Sequence, residues 1–292
     1  MKKKRKLFCE ISPFTYKISE RKEIIIRQIK NAFDLVTGRV KFAVSKSGDP
    51  LSVKVFKHKS LIRRKLGNVD MTLQENKAHN LSLIAPKIDG IYIYPGETFS
   101  FWKLAGAITK KKGFLPGLII KCHKTDTGIG GGMCQMTNLI HFLVLHSPLT
   151  IIERHHHNNF DLFPDFGRQV PFGVGTSILY NYLDYRFRND TDIIFKLEIK
   201  IDDTYLCGKL FASKDLPFSY HIKEKNARFV KQGNEYYRQN EVIRQVIDKH
   251  TGDVITEELI SEANALVMYD ASFISSEKLV NKTYDEKIEM GV

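Results

Sequence analysis

The sequence predicts an α+β fold, with helices in the amino-terminal half packed on an antiparallel β-rich core and a β-rich carboxyl-terminal part. Before residue 150, apolar residues recur at helical spacing in three stretches. After Phe160 the pattern changes to short alternating runs separated by turn residues. Neither an internal repeat nor a low-complexity block is present. The expected organisation is a basic amino-terminal segment over 1–69, a central domain over 70–200 and a β-rich extension with a tail over 201–292.

In chain order, Ile25, Ile29, Ala32, Phe33 and Val36 form one stripe of a helix over 19–36, with Ser19 as the expected N-cap. Arg27, Lys30, Glu23 and Asp34 lie opposite, and this mixed face favours docking of the stripe on the protein's own core over a membrane-surface helix. Residues 39–56 read as two short strands around Ser47-Gly48-Asp49-Pro50. Leu73, Ala78, Leu81 and Leu83 predict a helix that Pro86 closes. Ile91–Tyr94 is an expected strand ended by Pro95-Gly96, and Leu118–Cys122 another. A helix is expected over Met133–His146, then a strand over Leu149–His157. Further strands are expected at 178–187, 193–201 and 205–211, and a hairpin at 241–247 and 254–259. Phe99 and Trp102 are expected in the core.

The net charge of +12 is unevenly distributed: residues 1–67 hold 19 Lys and Arg against 5 Asp and Glu. Such a segment suits solubility, an anionic substrate or weak contact with an anionic membrane surface. Nucleic acid is not expected, because no zinc-finger, RNP1-like or basic-zipper pattern accompanies the charge. Lys2–Lys6 is basic, but Glu10 interrupts the apolar residues after it, so a signal peptide is not expected. The expected location is the cytoplasm, with peripheral contact at the inner membrane face. Four cysteines without a CxxC pair predict neither a disulfide scaffold nor a structural zinc site.

Two places carry chemistry. Gly130-Gly131-Gly132 stands directly before the third helix and lets a ligand approach the backbone. Cys134 then falls in the first helical turn, where free N–H groups and the helix dipole favour a thiolate. The loop lacks the Lys-Ser/Thr of a phosphate loop, and Met133 replaces the last glycine of GxGxxG, so no cofactor is expected. The second place is Glu153-Arg154-His155-His156-His157. Strand alternation puts Glu153, His155 and His157 on one face and Arg154 and His156 on the other. A cysteine at a helix start beside a strand histidine suits acyl transfer. The same groups, with His123, suit a metal. Cys122 and Cys207 are expected as buried thiols and His123 as an exposed loop residue. Asn138 and His141 share the helical face of Cys134 and predict a buried hydrogen-bond network.

The stretches Tyr94–Trp102, Gly130–Gln135 and Ile152–His157 together resemble the VanW family, with the likeness extending over Gln74–Lys77 and Asp184–Thr191, about residues 70–200 in all. The resemblance implies glycopeptide resistance or cell-wall biology, and a cysteine nucleophile as in the family's L,D-transpeptidase domains. It makes Cys134 the nucleophile and His155 and His157 the paired histidines. Gly175 stands where many members carry Asp, so Glu153 or another group must orient the histidine. The expected substrate is a peptidoglycan precursor or related peptide. Gly131, Gly132, Met133, Gln135, Glu153 and Arg154 are the expected substrate-binding residues, and Met133–Gln135 the oxyanion-binding turn. The alternatives are a non-catalytic accessory protein of the same fold and a His/Cys metal-binding protein.

Overall fold

The structure is a computed structural model and describes residues 8, 11–64, 70–121, 124–156, 159–165 and 167–281 of the 292-residue chain. Helix α1 spans Pro13–Val36 and is capped by Ser12 rather than Ser19, since Ser12 and Thr15 close a reciprocal capping box. Strands β1 (Lys41–Phe42) and β2 (Val53–Leu61) follow, then α2 (Met71–Ile88), which Asp70 caps and which runs through Pro86 in its last turn. The next elements are β3 (Ile91–Ile93), β4 (Glu97–Ser100) and the short α3 (Phe101–Ala105). A hairpin of β5 (Pro116–Lys121) and β6 (Lys124–Ile129) leads into α4 (Met133–Leu145), then β7 (Thr150–Glu153), β8 (Phe160–Asp161) and β9 (Arg186–Arg188). The carboxyl-terminal part holds β10 (Phe195–Ile201), β11 (Tyr205–Ala212), β12 (Phe218–Gln232), β13 (Glu235–Asp248), β14 (Val254–Val267) and β15 (Leu279–Asn281). The α+β class is as the sequence predicts.

The central sheet has the order β2-β11-β10-β3, with every pair antiparallel. Strands β1 and β2 are not a hairpin: β1 pairs in parallel with β4, in the sheet β1-β4-β9-β7, and β2 pairs with β11. Helix α4 lies on β2 and β11 because Gly208 leaves room for it. A Cβ there would stand 2.8 Å from Leu143 Cδ1 and 3.0 Å from Leu139 Cδ2. Phe99 and Leu143 are fully buried in this core and Trp102 is 8% exposed, as expected of Phe99 and Trp102.

Three long strands, β12, β13 and β14, form a second sheet flanked by β15 and β8, both joined in parallel. Buried Arg238 on β13 fixes β8 and the chain after it, donating to Asp161 at 3.3 Å and to both carboxylate oxygens of Asp165 at 2.6 and 2.9 Å.

The strand expected over 178–187 forms only as β9 from Arg186, and two further places depart from the sequence reading. The strand expected over Leu149–His157 ends at Glu153, and its pairing with β9 shifts register between Ile151 and Glu153. Alternation therefore stops before the histidines. The apolar stripe of α1 does not dock: Ile25, Ile29 and Phe33 are 54%, 65% and 51% exposed, and polar residues face the body instead.

His146 ends α4 stacked on Phe56 with ring centroids 3.5 Å apart, and its Nδ1–H donates to Phe142 O at 2.7 Å. Burial is the main cause that lowers its pKa to about 4, below the ordinary imidazole value. The unfolded chain therefore binds a proton below about pH 6.5 that the folded chain refuses. Stability should rise with pH through that window. His146→Phe should remove about 2 kcal/mol of the stability lost between pH 7 and pH 5. Urea denaturation of both proteins at the two pH values measures it.

Candidate functional site

The loop before α4 is shaped by two different demands on glycine. Gly130 and Gly132 have φ of +82° and +107°, which L side chains adopt badly. Gly131 does not have positive φ; a Cβ on it would collide with the backbone of Gly117, at 2.6 Å from Gly117 Cα. The loop thus rests on β5. Asn80 of α2 locks the contact, donating at 3.0 Å to both Gly131 O and Leu115 O and accepting from Leu115 N at 2.8 Å.

Lys77 crosses the same loop: a Cβ on Gly132 would lie 2.5 Å from Lys77 Cγ. Its amine donates to Gln74 Oε1 at 2.7 Å, and that oxygen also accepts from Arg64 N at 3.2 Å. Burial, with repulsion from Arg64 and Arg63, lowers the Lys77 pKa to about 8. No carboxylate pairs with Lys77 among the described residues.

Helix α4 opens on Met133, which is 5% exposed, and on Cys134. Gln135 N donates to Gly132 O at 2.9 Å, whereas no carbonyl accepts from Met133 or Cys134 N–H among the described residues. The Gln135 side chain ties the helix to β2, donating to Ser60 Oγ and Leu61 O at 2.9 Å each. The helix start does not depress the Cys134 thiol. Burial pushes it up, against hydrogen bonds from Ile178 N–H and its own N–H. By exposure the residue as a whole is half-buried.

Glu153 is the most connected group nearby. Arg27 of α1 grips both its oxygens, one of them at 2.8 Å. Asp184 N donates to its Oε1 at 3.0 Å, and His155 Nε2 lies 3.0 Å from the same oxygen. Burial works to raise the Glu153 pKa, but these partners outweigh it and hold the carboxyl below its usual range. A carboxylate only accepts, so His155 Nε2 carries a proton, and in the neutral ring that leaves the lone pair on Nδ1. His156 turns elsewhere: its Nε2 lies 3.1 Å from the Cβ position of Gly175, which is 3.8 Å from Asn138 Oδ1. Arg154 donates to Gly173 O and, at 3.0 Å, to Gly175 O, so it fastens a loop. His157 lies outside the described residues, as do Cys122 and His123.

One extended segment, 175–178, joins the two places. Ser177 N donates to His155 O at 2.7 Å, while Ile178 N–H meets the Cys134 thiol. Thr176 donates from N and Oγ1 to Asn138 Oδ1 at 2.6 and 2.8 Å, and its hydroxyl meets Thr137 Oγ1 at 2.6 Å. His141 Nδ1 pairs with Tyr185 OH at 3.1 Å. The polar face of α4 is the hydrogen-bond network that its spacing predicts. Cys207 is half-buried, with its thiol 3.7 Å from Asp202 Oδ2. Among the described residues no three His, Cys, Asp or Glu side chains gather as a metal site.

Arg27, Asn80 and Lys77 were not legible as site residues. Arg27 and Glu153 are 126 positions apart, and only folding pairs them. Lys77 and Asn80 stand one turn apart on a helix that also carries Gln74, Glu75, Asn76 and His79, so nothing in the pattern singled them out.

A relative matches over this region and beyond. The chain is 36% identical over 200 residues to the vancomycin B-type resistance protein VanW of Enterococcus faecalis, covering 68% of this chain and 72% of that protein. The chain belongs to the VanW family. The family model, described as VanW-like protein, matches residues 76–211, from α2 to β11. A second relative is the uncharacterized protein YoaR of Bacillus subtilis, 32% identical over 118 residues, which are 39% of this chain and 36% of that protein. No solved structure matches the chain. The family match holds α4, Glu153, His155 and segment 175–178, whereas Arg27 lies before it.

The Gly131 contact is testable. Gly131→Ala should destabilise by about 1–3 kcal/mol, because two backbones must separate. Gly233→Ala, at φ +62° with nothing near its Cβ position, should cost about 1 kcal/mol. Equal midpoints in urea for wild type and Gly131→Ala would remove the close-approach argument.

Proposed function

We propose that this VanW-family chain is a cell-wall-linked enzyme that carries out cysteine-dependent acyl transfer or amide cleavage on peptidoglycan-type peptides. The observation that carries the reading is segment 175–178: Ile178 N–H meets the Cys134 thiol, and neighbouring Ser177 N–H bonds the carbonyl of His155, whose ring is held by Glu153. A nucleophile, a base and a group that orients the base thus stand on adjoining elements. The named Enterococcus relative adds the link to vancomycin resistance.

In the proposed reaction His155 Nδ1 takes the thiol proton as Cys134 Sγ forms a bond to the substrate carbonyl carbon. Met133 and Cys134 N–H, without carbonyl acceptors among the described residues, receive the oxyanion. The carbon–nitrogen bond then breaks, the proton passes to the leaving amine, and an amine or water releases the acyl group. The family resemblance offers His157 as a second candidate base. Lys77 offers a cation beside the loop for a carboxylate of a wall peptide. Gly131, Gly132, Gln135 and Arg154 act by shaping the loops rather than through free polar groups. Burial of the thiol favours the non-catalytic accessory reading, because a neutral thiol needs a base to become a nucleophile.

The two readings part on the pH profile of Cys134 alkylation, followed by peptide mapping. His155→Ala should slow alkylation at neutral pH by about a hundredfold, within the range for loss of a general base. Superimposable profiles in wild type, His155→Ala and His156→Ala would favour the accessory reading. A loss confined to His156→Ala would move the base to the ring beside Gly175.

A further inference from the structure

Helix α1 sits on the body with its apolar side outward. Along Pro13–Val36 none of the described side chains is buried. The half-buried positions include Glu20, Glu23, Arg27, Asn31 and Asp34, which fall on one side. Arg27 reaches Glu153 and, at 3.0 Å, Tyr182 O, while Asn31 accepts from Arg186 Nη2 at 2.8 Å. Beside these contacts lies a cleft of about 180 Å³ lined by Asn31, Trp102 and Arg186, so the helix is held by polar groups.

The opposite side is a continuous apolar stripe. Phe14, Ile18, Ile25, Ile29, Phe33 and Val36 are 72%, 42%, 54%, 65%, 51% and 87% exposed. Their spacing of three, four and seven keeps them on one face. Lys17, Arg21 and Lys22 are exposed in or beside the stripe, Lys30 is exposed on the flank, and all three acidic residues of the helix are among the half-buried side chains. An amphipathic helix lying in a bilayer surface has this composition: an apolar face, flanking cations and a polar back. A helix docked on its own core would bury the stripe.

We infer that the outer face of α1 is a docking surface for an anionic lipid bilayer, with the helix lying in the plane of the headgroups. No helix among the described residues is long and apolar enough to cross a membrane. The occupant follows from charge: Lys17, Arg21 and Lys22 border the stripe, the nearest carboxylate is Glu23 at 3.6 Å from Lys22, and Lys2–Lys6 stands shortly before it in the sequence. A second copy of the chain would bring cations against cations across the same stripe. Because Arg27 on the back of the helix holds Glu153, docking would keep the body that carries the proposed site beside the bilayer.

The test is co-sedimentation of the full chain with phosphatidylcholine vesicles, with and without phosphatidylglycerol. Wild type should bind the anionic vesicles, and 1 M salt should weaken binding. Ile25→Glu/Ile29→Glu should lose at least about tenfold in partitioning, since two apolar anchors become repelled charges. Ile255→Glu/Leu259→Glu on β14, where the side chains are 57% and 62% exposed, should bind as wild type. Absent wild-type binding, or equal loss in both variants, would overturn the inference. So would a lipid-free dimer in sedimentation velocity that Ile25→Glu/Ile29→Glu dissociates, which would assign the stripe to a second copy.

Discussion

The carboxylate of Glu153 is the junction on which the arrangement depends. Its side chain is 14% exposed, as is that of Arg27. A nearly buried charge is tolerable only when neutralised and hydrogen-bonded. Four elements meet that demand: α1 through Arg27, the turn before β9 through Asp184 N–H, β9 through Arg186 at 3.7 Å, and the histidine run through His155. Asp184 extends the network, accepting from Ser100 Oγ at 2.6 Å and from Trp102 N at 3.1 Å. Removing one partner of such a buried pair typically costs about 3–5 kcal/mol, because the remaining charge is stranded. The lowered pKa of Glu153 gives the same dependence a sign. Its stabilisation is present above the ordinary carboxylate range and is lost as acid protonates the group.

The glycine loop and the histidine run reach one another by different physics. At the loop, sterics decide: two glycines take positive φ and one lets two backbones meet. At the histidines, electrostatics decide, because β7 ends at Glu153 and the ladder no longer dictates which way a ring points. Adjacent rings therefore part by partner, His155 toward Glu153 and His156 toward Gly175. Burial raises the Cys134 pKa further above the ordinary thiol value, so this helix start does not by itself make a thiolate.

Much of this was legible in the sequence where a local rule governs. The glycine-led start of α4, its apolar body and the polar line of Asn138 and His141 follow from spacing alone. The hairpin of β13 and β14 follows from alternation around Thr251-Gly252. What periodicity could not supply was the direction of an amphipathic face. The stripe of α1 was visible, but a moment states that a helix has two sides and not which side meets the body. Gly131 shows a related limit: consecutive glycines announce freedom, yet Gly117, fourteen positions away, supplies the constraint. The long β12 escaped notice because exposed charges interrupt its apolar positions.

The central claim is that Cys134 forms a covalent acyl intermediate. Intact-protein and peptide mass spectrometry, after mixing the chain with wall stem peptides ending in D-amino acids, tests it most directly. The account predicts a mass increase equal to the acyl portion on the peptide containing Cys134, with release of the leaving amine, and neither event in Cys134→Ala. Amine release that continues unchanged in Cys134→Ala, or the absence of any adduct and turnover in wild type, would contradict it.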